Sequence, residues 1–142
     1  MQKLTPRDLF ALEACSGWLM LGNPTEAANE LREIPSERSV HPTVFLSVWE
    51  LHAHLRQWGE AANAANFVIA MAPHWPDGYI KRAFALHELK RTREAWQCLL
   101  PASRKFTSEW VIPYNLACYA CQLGRAEIAA KWFKRALKIG DK

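Results

Sequence analysis

No run of apolar residues in this sequence approaches the roughly 18 that span a bilayer. The first residues, Met1-Gln2-Lys3-Leu4-Thr5-Pro6, lack the apolar stretch of a secretory signal. The expectation is a soluble, cytoplasmic protein without a membrane partner. Cysteine is sparse, limited to Cys15, Cys98, Cys118 and Cys121. Without a secretory signal these read as reduced, mostly buried thiols, which argues against a disulfide framework. There are only six glycines, and no P-loop, G-x-S-x-G, H-E-x-x-H or glycine-rich turn after a strand. No segment reads clearly as a strand. A helical chain without these motifs brings no acid, base and nucleophile together in a pocket, so neither an enzyme nor a cofactor is expected. Charge of one sign is not dominant either: 18 Lys and Arg against 14 Asp and Glu give a formal net charge of +4, mild for a nucleic-acid binder.

What the chain does have is enough apolar content for one domain over residues 1–142, with 50% of its residues hydrophobic. Its charge is also polarised. Up to residue 70 there are 5 basic and 8 acidic side chains, net −3; from Met71 onward there are 13 and 6, net +7. In an elongated molecule the ends would carry opposite fields, steering an acidic partner to the C-terminal half or favouring head-to-tail self-contact.

The strongest signal is a 34-residue period. Glu26-Ala27, Glu60-Ala61 and Glu94-Ala95 are spaced by it, and a further step reaches Ile128-Ala129. The same ruler joins Leu21, Leu55, Leu89 and Leu123. Four units fit, at 8–41, 42–75, 76–109 and 110–142, after a seven-residue lead. Each reads as two helices. In the first unit Leu9, Leu12, Cys15 and Leu19 follow helical spacing. Gly22 then ends that helix, and Asn23, Pro24 and Glu26 supply an N-cap, a first-position proline and a capping box. Gly124 is the corresponding breaker in the fourth unit, while Pro42 and Pro76 open the first helices of units two and three. Ala27, Ala61, Ala95 and Ala129 are small where helices cross closely. Leu31, Leu99 and Phe133, with Ala65 as the small exception, are expected to face inward one turn on, followed by Ile34, Val68, Ala102 and Ala136. Such short helix pairs must stack on one another to bury their faces.

These residues resemble the tetratricopeptide repeat over nearly the whole chain. The fourth unit is most similar, through Tyr114-Asn115-Leu116-Ala117, Leu123-Gly124, Ala129, Phe133 and Ala136, with Asp141 where the family usually has Pro. The third keeps Ala83, Glu94-Ala95, Leu99 and Ala102, the second Ala61 and Pro73, and the first is divergent. The resemblance implies an all-α, right-handed superhelical solenoid of four helix-turn-helix repeats. Two residues depart from the pattern. Trp49 stands where the family usually has a small residue, so its helix must sit further from its partner or turn the indole outward. Pro101 falls inside a helix and is expected to kink or shorten it.

The resemblance also implies that the first helices line a concave groove. The matching positions are Leu12, Ser16 and Leu19; Leu46, Glu50 and Ala53; Ile80, Phe84 and His87; Tyr114, Cys118 and Cys121. This lining is mostly apolar and lacks the basic clamp with which some family members grip carboxylates. It suits an apolar or amphipathic segment laid into the groove. Leu46, Ile80, Phe84 and Tyr114 would meet its apolar stripe, while Glu50 and Gln122 would set register. The expected function is a non-catalytic protein-interaction module, a scaffold or chaperone.

Other features read more plainly. Cys118-x-x-Cys121 has no second ligand pair, so two small groove-lining residues are the simpler account. His52, His54 and His87 lack an acidic cluster that would make them metal ligands. Lys131, Lys134, Arg135 and Lys138 share one helix face, and with Lys90, Arg91 and Arg93 they leave nucleic-acid binding as the alternative. Trp132, in a final unit without a capping helix, is a candidate for self-association, which would make the chain a self-assembling component.

Overall fold

Proline sets many of the helix starts, because at the first helical position its missing N–H costs no intrahelical bond. The computed structural model describes residues 2–141. Its helices are α1 (Pro6–Met20), α2 (Pro24–Arg32), the short α3 (Ser36–Ser39), α4 (Pro42–His54), α5 (Trp58–Met71), α6 (Pro76–Glu88), α7 (Thr92–Lys105), α8 (Val111–Gln122) and α9 (Ala126–Gly140). No strand occurs among the described residues, and no helix there is long and apolar enough to cross a membrane. α1 packs on α2, α4 on α5, α6 on α7 and α8 on α9; each pair then packs on the next, giving an all-α superhelical solenoid. α1 starts at Pro6, inside the expected lead, and α3 is an addition that the period does not announce.

Every pair turns on the same motif, spaced by 34 residues. Gly22, Arg56, Lys90 and Gly124 all have positive φ, at 76°, 56°, 65° and 76°. Each donates its N–H to the carbonyl three residues back, and the next residue donates to the carbonyl five back. The pattern runs from Gly22 to Leu19 and Asn23 to Trp18, through to Gly124 to Cys121 and Arg125 to Ala120. This is the Schellman arrangement, which satisfies carbonyls left over at a helix C-terminus. It also corrects one expectation. The Asn23 side chain accepts from the Glu26 N–H at 3.1 Å, but the Asn23 N–H is taken by Trp18, so only half a capping box forms. The complete box lies at Thr5 and Asp8, at the start of α1.

The core consists of four linked clusters, one per pair or junction. Ala27, Ala61 and Ala95 are fully buried at the helix crossings. Between pairs, a residue of the first helix presses on the preceding second helix. Val44 clusters with Leu31 of α2 and with Ile34 just beyond its end, and Ile112 with Leu99 and Ala102. At Gly78 the helices approach so closely that a Cβ would lie 2.8 Å from the Ile69 Cγ1. Phe133 departs from its expected inward position: it is 44% exposed, because among the described residues α8 is the one helix packed on α9 and none covers its other side.

Trp49 faces inward and is only 7% exposed. Room for the indole comes from Ala61, Ala62, Ala64 and Ala65 of α5 and from Ala85 of α6, so the small Ala65 is the complement of the large Trp49. Its Nε1–H donates to the Lys81 carbonyl at 3.2 Å. Pro101 does not shorten its helix: α7 runs through it for 14 residues, as long as α5. The thiols are less buried than expected, with Cys15 buried, Cys98 half-buried, and Cys118 and Cys121 exposed; all four are free.

The N-terminal end is fastened by an ion pair. Asp8, 3% exposed, accepts from the Arg38 Nε at 2.6 Å and from the Thr5 N–H at 2.9 Å, tying α1 to α3. The Arg38 hydrogen bond is the main cause of a carboxyl pKa lowered from 3.8 to about 2, with the Thr5 N–H adding to it against the opposing effect of burial.

The turns and the fastening each generate a prediction. A Cβ at Gly124 would meet nothing within 4 Å, so Gly124→Ala acts through the backbone alone and lowers stability by about 1 kcal/mol, whereas Lys90→Gly raises it by about 0.5–1 kcal/mol. Urea denaturation midpoints check both signs. For Asp8 the depressed pKa means that the pair stabilises the fold above the ordinary carboxyl range and loses that contribution as pH falls from about 4 through about 2. Arg38→Met flattens this part of the acid-unfolding curve and leaves the other titrating groups in place, which is read by circular dichroism between about pH 5 and about pH 1.5.

Candidate partner-binding face

Successive first helices pack on one another, α1 on α4, α4 on α6 and α6 on α8, whereas no second helix packs comparably on the next second helix among the described residues. The layer of first helices is therefore the tighter side of the stack. One residue from each occupies a common row along it: Ser16, Glu50, Phe84 and Cys118. Ser16, Phe84 and Cys118 are exposed and Glu50 is half-exposed. Leu46, Ile80 and His87 are partly covered, while Tyr114, Cys121 and Gln122 are exposed.

Leu12 and Leu19 do not join this face. Leu12 packs with Ala11, Ile34 and Val44, and Leu19 with Cys15 and Ala27, so both belong to the core. The helix turns Leu9, Glu13, Ser16 and Met20 outward instead. Tyr114 lies where the face meets the C-terminal end of the stack: its ring is 5.9 Å from that of Trp110 and 6.0 Å from that of Phe133. Trp132 is not an open end residue. Its ring meets Trp96 edge to face at 6.1 Å, and the Arg135 guanidinium lies 5.3 Å over it.

The middle of the face holds an aromatic cluster that the sequence pattern did not reveal. The rings of Trp49, Trp58 and Phe84 are 5.7–6.2 Å apart in mutually tilted arrangements, the offset geometry that ring quadrupoles favour. They border a depression of about 460 Å³, also lined by Glu50, His54, Arg56 and Glu88. Lys81 fixes one side of it. Its Nζ lies 4.4 Å over the Trp49 ring and 2.9 Å from the Glu50 carboxylate, so Glu50 is already engaged within the chain. Phe84, 39% exposed, is the aromatic of the three that a partner reaches most readily. Seven tryptophans in the sequence are the available signal; the convergence of two of them with Phe84 depends on the alanines beneath Trp49.

The histidines are held singly. His52 Nδ1 is 2.7 Å from the Gln57 Oε1, His54 Nδ1 is 3.1 Å from the Glu50 carbonyl, and His87 Nδ1 is 2.9 Å from the Thr92 Oγ1. Among the described residues they do not assemble a metal-ligand set with other groups. The His87 ring also lies 5.1 Å from that of Tyr119 in a tilted arrangement. The Tyr119 hydroxyl is buried without a hydrogen-bond partner among the described residues, and that burial pushes its pKa up. Burial likewise raises the Cys98 thiol, against the opposing effect of the nearby Arg82 guanidinium. Neither group is poised for nucleophilic or proton-transfer chemistry at neutral pH.

No protein-family model matches the sequence. No curated protein is similar to it at the sequence level either. Its fold does match solved structures. A thermophilic TPR protein of Thermus thermophilus, TTC0263, superposes with a TM-score of 0.81 at 17% identity, over 95% of this chain and 75% of that one. MamA superposes with a TM-score of 0.79 at 15% identity, over 94% and 78%. A second MamA structure, that of MamA AMB-1, gives 0.70 at 19% identity, over 92% and 72%. The chain therefore has a tetratricopeptide-like repeat fold, as the 34-residue period implies.

The different burial of Trp49 and Phe84 is measurable. Trp49→Ala empties a buried site whose floor is built of alanines too small to fill it and costs about 3–5 kcal/mol in denaturant unfolding, whereas Phe84→Ala costs about 1.5 kcal/mol or less.

Proposed function

We propose that the chain is a non-catalytic protein-interaction module whose helix pairs act as four tetratricopeptide-like repeats, 8–41, 42–75, 76–109 and 110–142. A peptide or helix lies along the face of the first helices, from Ser16 and Glu50 through Phe84 to Cys118 and Gln122. The observation that carries this reading is the exposed Phe84 edge above the Trp49–Trp58 pair, midway along a face otherwise built of Leu46, Ile80, His87 and Tyr114. A large, rigid aromatic in the centre of a shallow depression is the usual energetic anchor of an interface. An apolar or amphipathic helix, read at alternate turns, supplies the complementary stripe. Glu50 is tied to Lys81, so Gln122 is the freer of the two groups to hydrogen-bond the partner backbone and fix register. A scaffold or chaperone role in the cytoplasm is consistent with this mode of binding.

The basic surface of the C-terminal half gives a second reading. Lys131, Lys134 and Lys138 are exposed and in no ion pair among the described residues, the arrangement that phosphate contacts would use. Salt separates the two. Phosphate binding falls steeply as salt rises, whereas an apolar groove contact persists.

Affinity capture from nuclease-treated native lysate, at low and high salt, tests the groove. The expected outcome is a protein retained at both salts by the parent chain and reduced about tenfold or more by Phe84→Glu, with helicity unchanged. Equal capture by Phe84→Glu removes the site from this face. Material lost with nuclease and with salt transfers the function to the basic surface.

A further inference from the structure

Two apolar surfaces lie away from the Phe84 face, one at each end of the stack, and they are the two halves of a junction that the chain already makes internally. On the inserting side, Val44, Gly78 and Ile112 occupy one column at the 34-residue period, and all three are buried against the preceding second helix. One period earlier the column holds Phe10, which is 70% exposed. On the receiving side, the relevant column is that of Leu99, which is fully buried and clusters with Ile112. One period later it holds Phe133, exposed beside Trp110, Tyr114 and Leu137 around a largely apolar depression of about 450 Å³. The N-terminal end thus presents an uncovered inserting residue, and the C-terminal end an uncovered receiving surface.

Charge pairs the same two ends. Phe10 borders a depression lined by Glu26, Glu30 and Glu33 with Arg7 as the only basic group. Exposed Lys134 and Lys138 directly follow Phe133 and Leu137 along α9, outside the depression, whose own lining has Asp141 as its one charged residue. Acidic and basic surfaces therefore lie beside apolar surfaces that already have the register of an internal junction. A two-fold contact would instead bring like charge against like.

We propose that copies of this chain associate head to tail, with Phe10 of one copy seated on the Trp110–Tyr114–Phe133–Leu137 surface of the next. The contact is heterologous: each copy uses one surface to give and another to receive, so it extends into open chains or closes into a ring. Along such an assembly the Phe84 face stays free except at Tyr114, which it shares with the receiving surface. This inference is independent of the groove reading, because Phe84→Glu leaves both ends intact.

Sedimentation velocity on the 142-residue chain, over concentrations up to about 1 mM, tests it with Phe10→Glu and Phe133→Lys, both at exposed positions that leave helicity unchanged. The parent mass is expected to rise with concentration beyond a dimer. Each variant alone retains one working surface and sediments as a monomer. An equimolar mixture joins the receiving end of Phe10→Glu to the inserting end of Phe133→Lys and stops at twice the chain mass. The proposal is overturned by a parent that stays monomeric throughout. It is equally overturned by single variants that associate as the parent does, or by a mixture that stays monomeric when the parent associates.

Discussion

The structure rests on one constraint: a pair of short helices cannot bury both of its faces, so each pair is completed by the pair that stacks on it. The stacking contact is concrete. A first helix presses Val44, Gly78 or Ile112 onto the preceding second helix, and the receiving positions include Leu31 with Ile34 just after its helix, Val68 and Ile69, and Leu99. The volumes are complementary, since a glycine admits the bulk of Ile69 where the other junctions use Val and Ile. The turns serve this contact. Because all four place a left-handed residue 34 positions apart, each second helix leaves its first helix in the same way, and the next pair is delivered in the same register.

The turns also show what a sequence conceals. Gly22 and Gly124 are visible as helix ends because glycine adopts positive φ at no steric cost. Arg56 and Lys90 adopt the same conformation with nothing in their chemistry to mark it, and only the period gives them away. The same period carried most of the fold, since the Ala27, Ala61 and Ala95 column and the prolines that open α4 and α6 each have a local physical reason. It misled at the ends. Phe133 shares a column with the fully buried Leu99, but burial belongs to the neighbour as much as to the residue. In the first pair, α1 starts two residues before the unit boundary, and Leu12 and Leu19 lie in the core while Ser16 remains on the outer row.

The candidate site was legible to a similar degree. Phe84, Cys118 and Gln122 are accessible where the repeat resemblance puts them, because helical periodicity alone fixes which side of a first helix faces outward. The aromatic cluster was not readable. Its formation depends on Trp49 turning inward, and that depends on four alanines of the following helix together with Ala85. Substitutions of opposite size on two helices compensate in volume, and each taken alone reads as an exception to the pattern. Once Trp49 is buried, its ring face is open to Lys81, which in turn engages Glu50, so an unfamiliar residue in the core sets the charge available on the surface.

That coupling separates the roles of the face and the ends. Along the face, the intramolecular Lys81–Glu50 pair takes up charge in the middle, leaving aromatic and small polar surface where a partner would be read by shape. At the ends, the excess charge is of opposite sign, with Glu26, Glu30 and Glu33 against Arg7 at one and Lys134 and Lys138 against Asp141 at the other. Electrostatic fields of this kind act on approach and orientation more than on final affinity, and apolar contact supplies the holding energy. A stack whose ends are charged and whose tighter side is aromatic would thus keep the two proposed kinds of recognition on different surfaces. Occupation of one leaves the residues of the other uncovered, except at Tyr114, where the face and the C-terminal end share a ring.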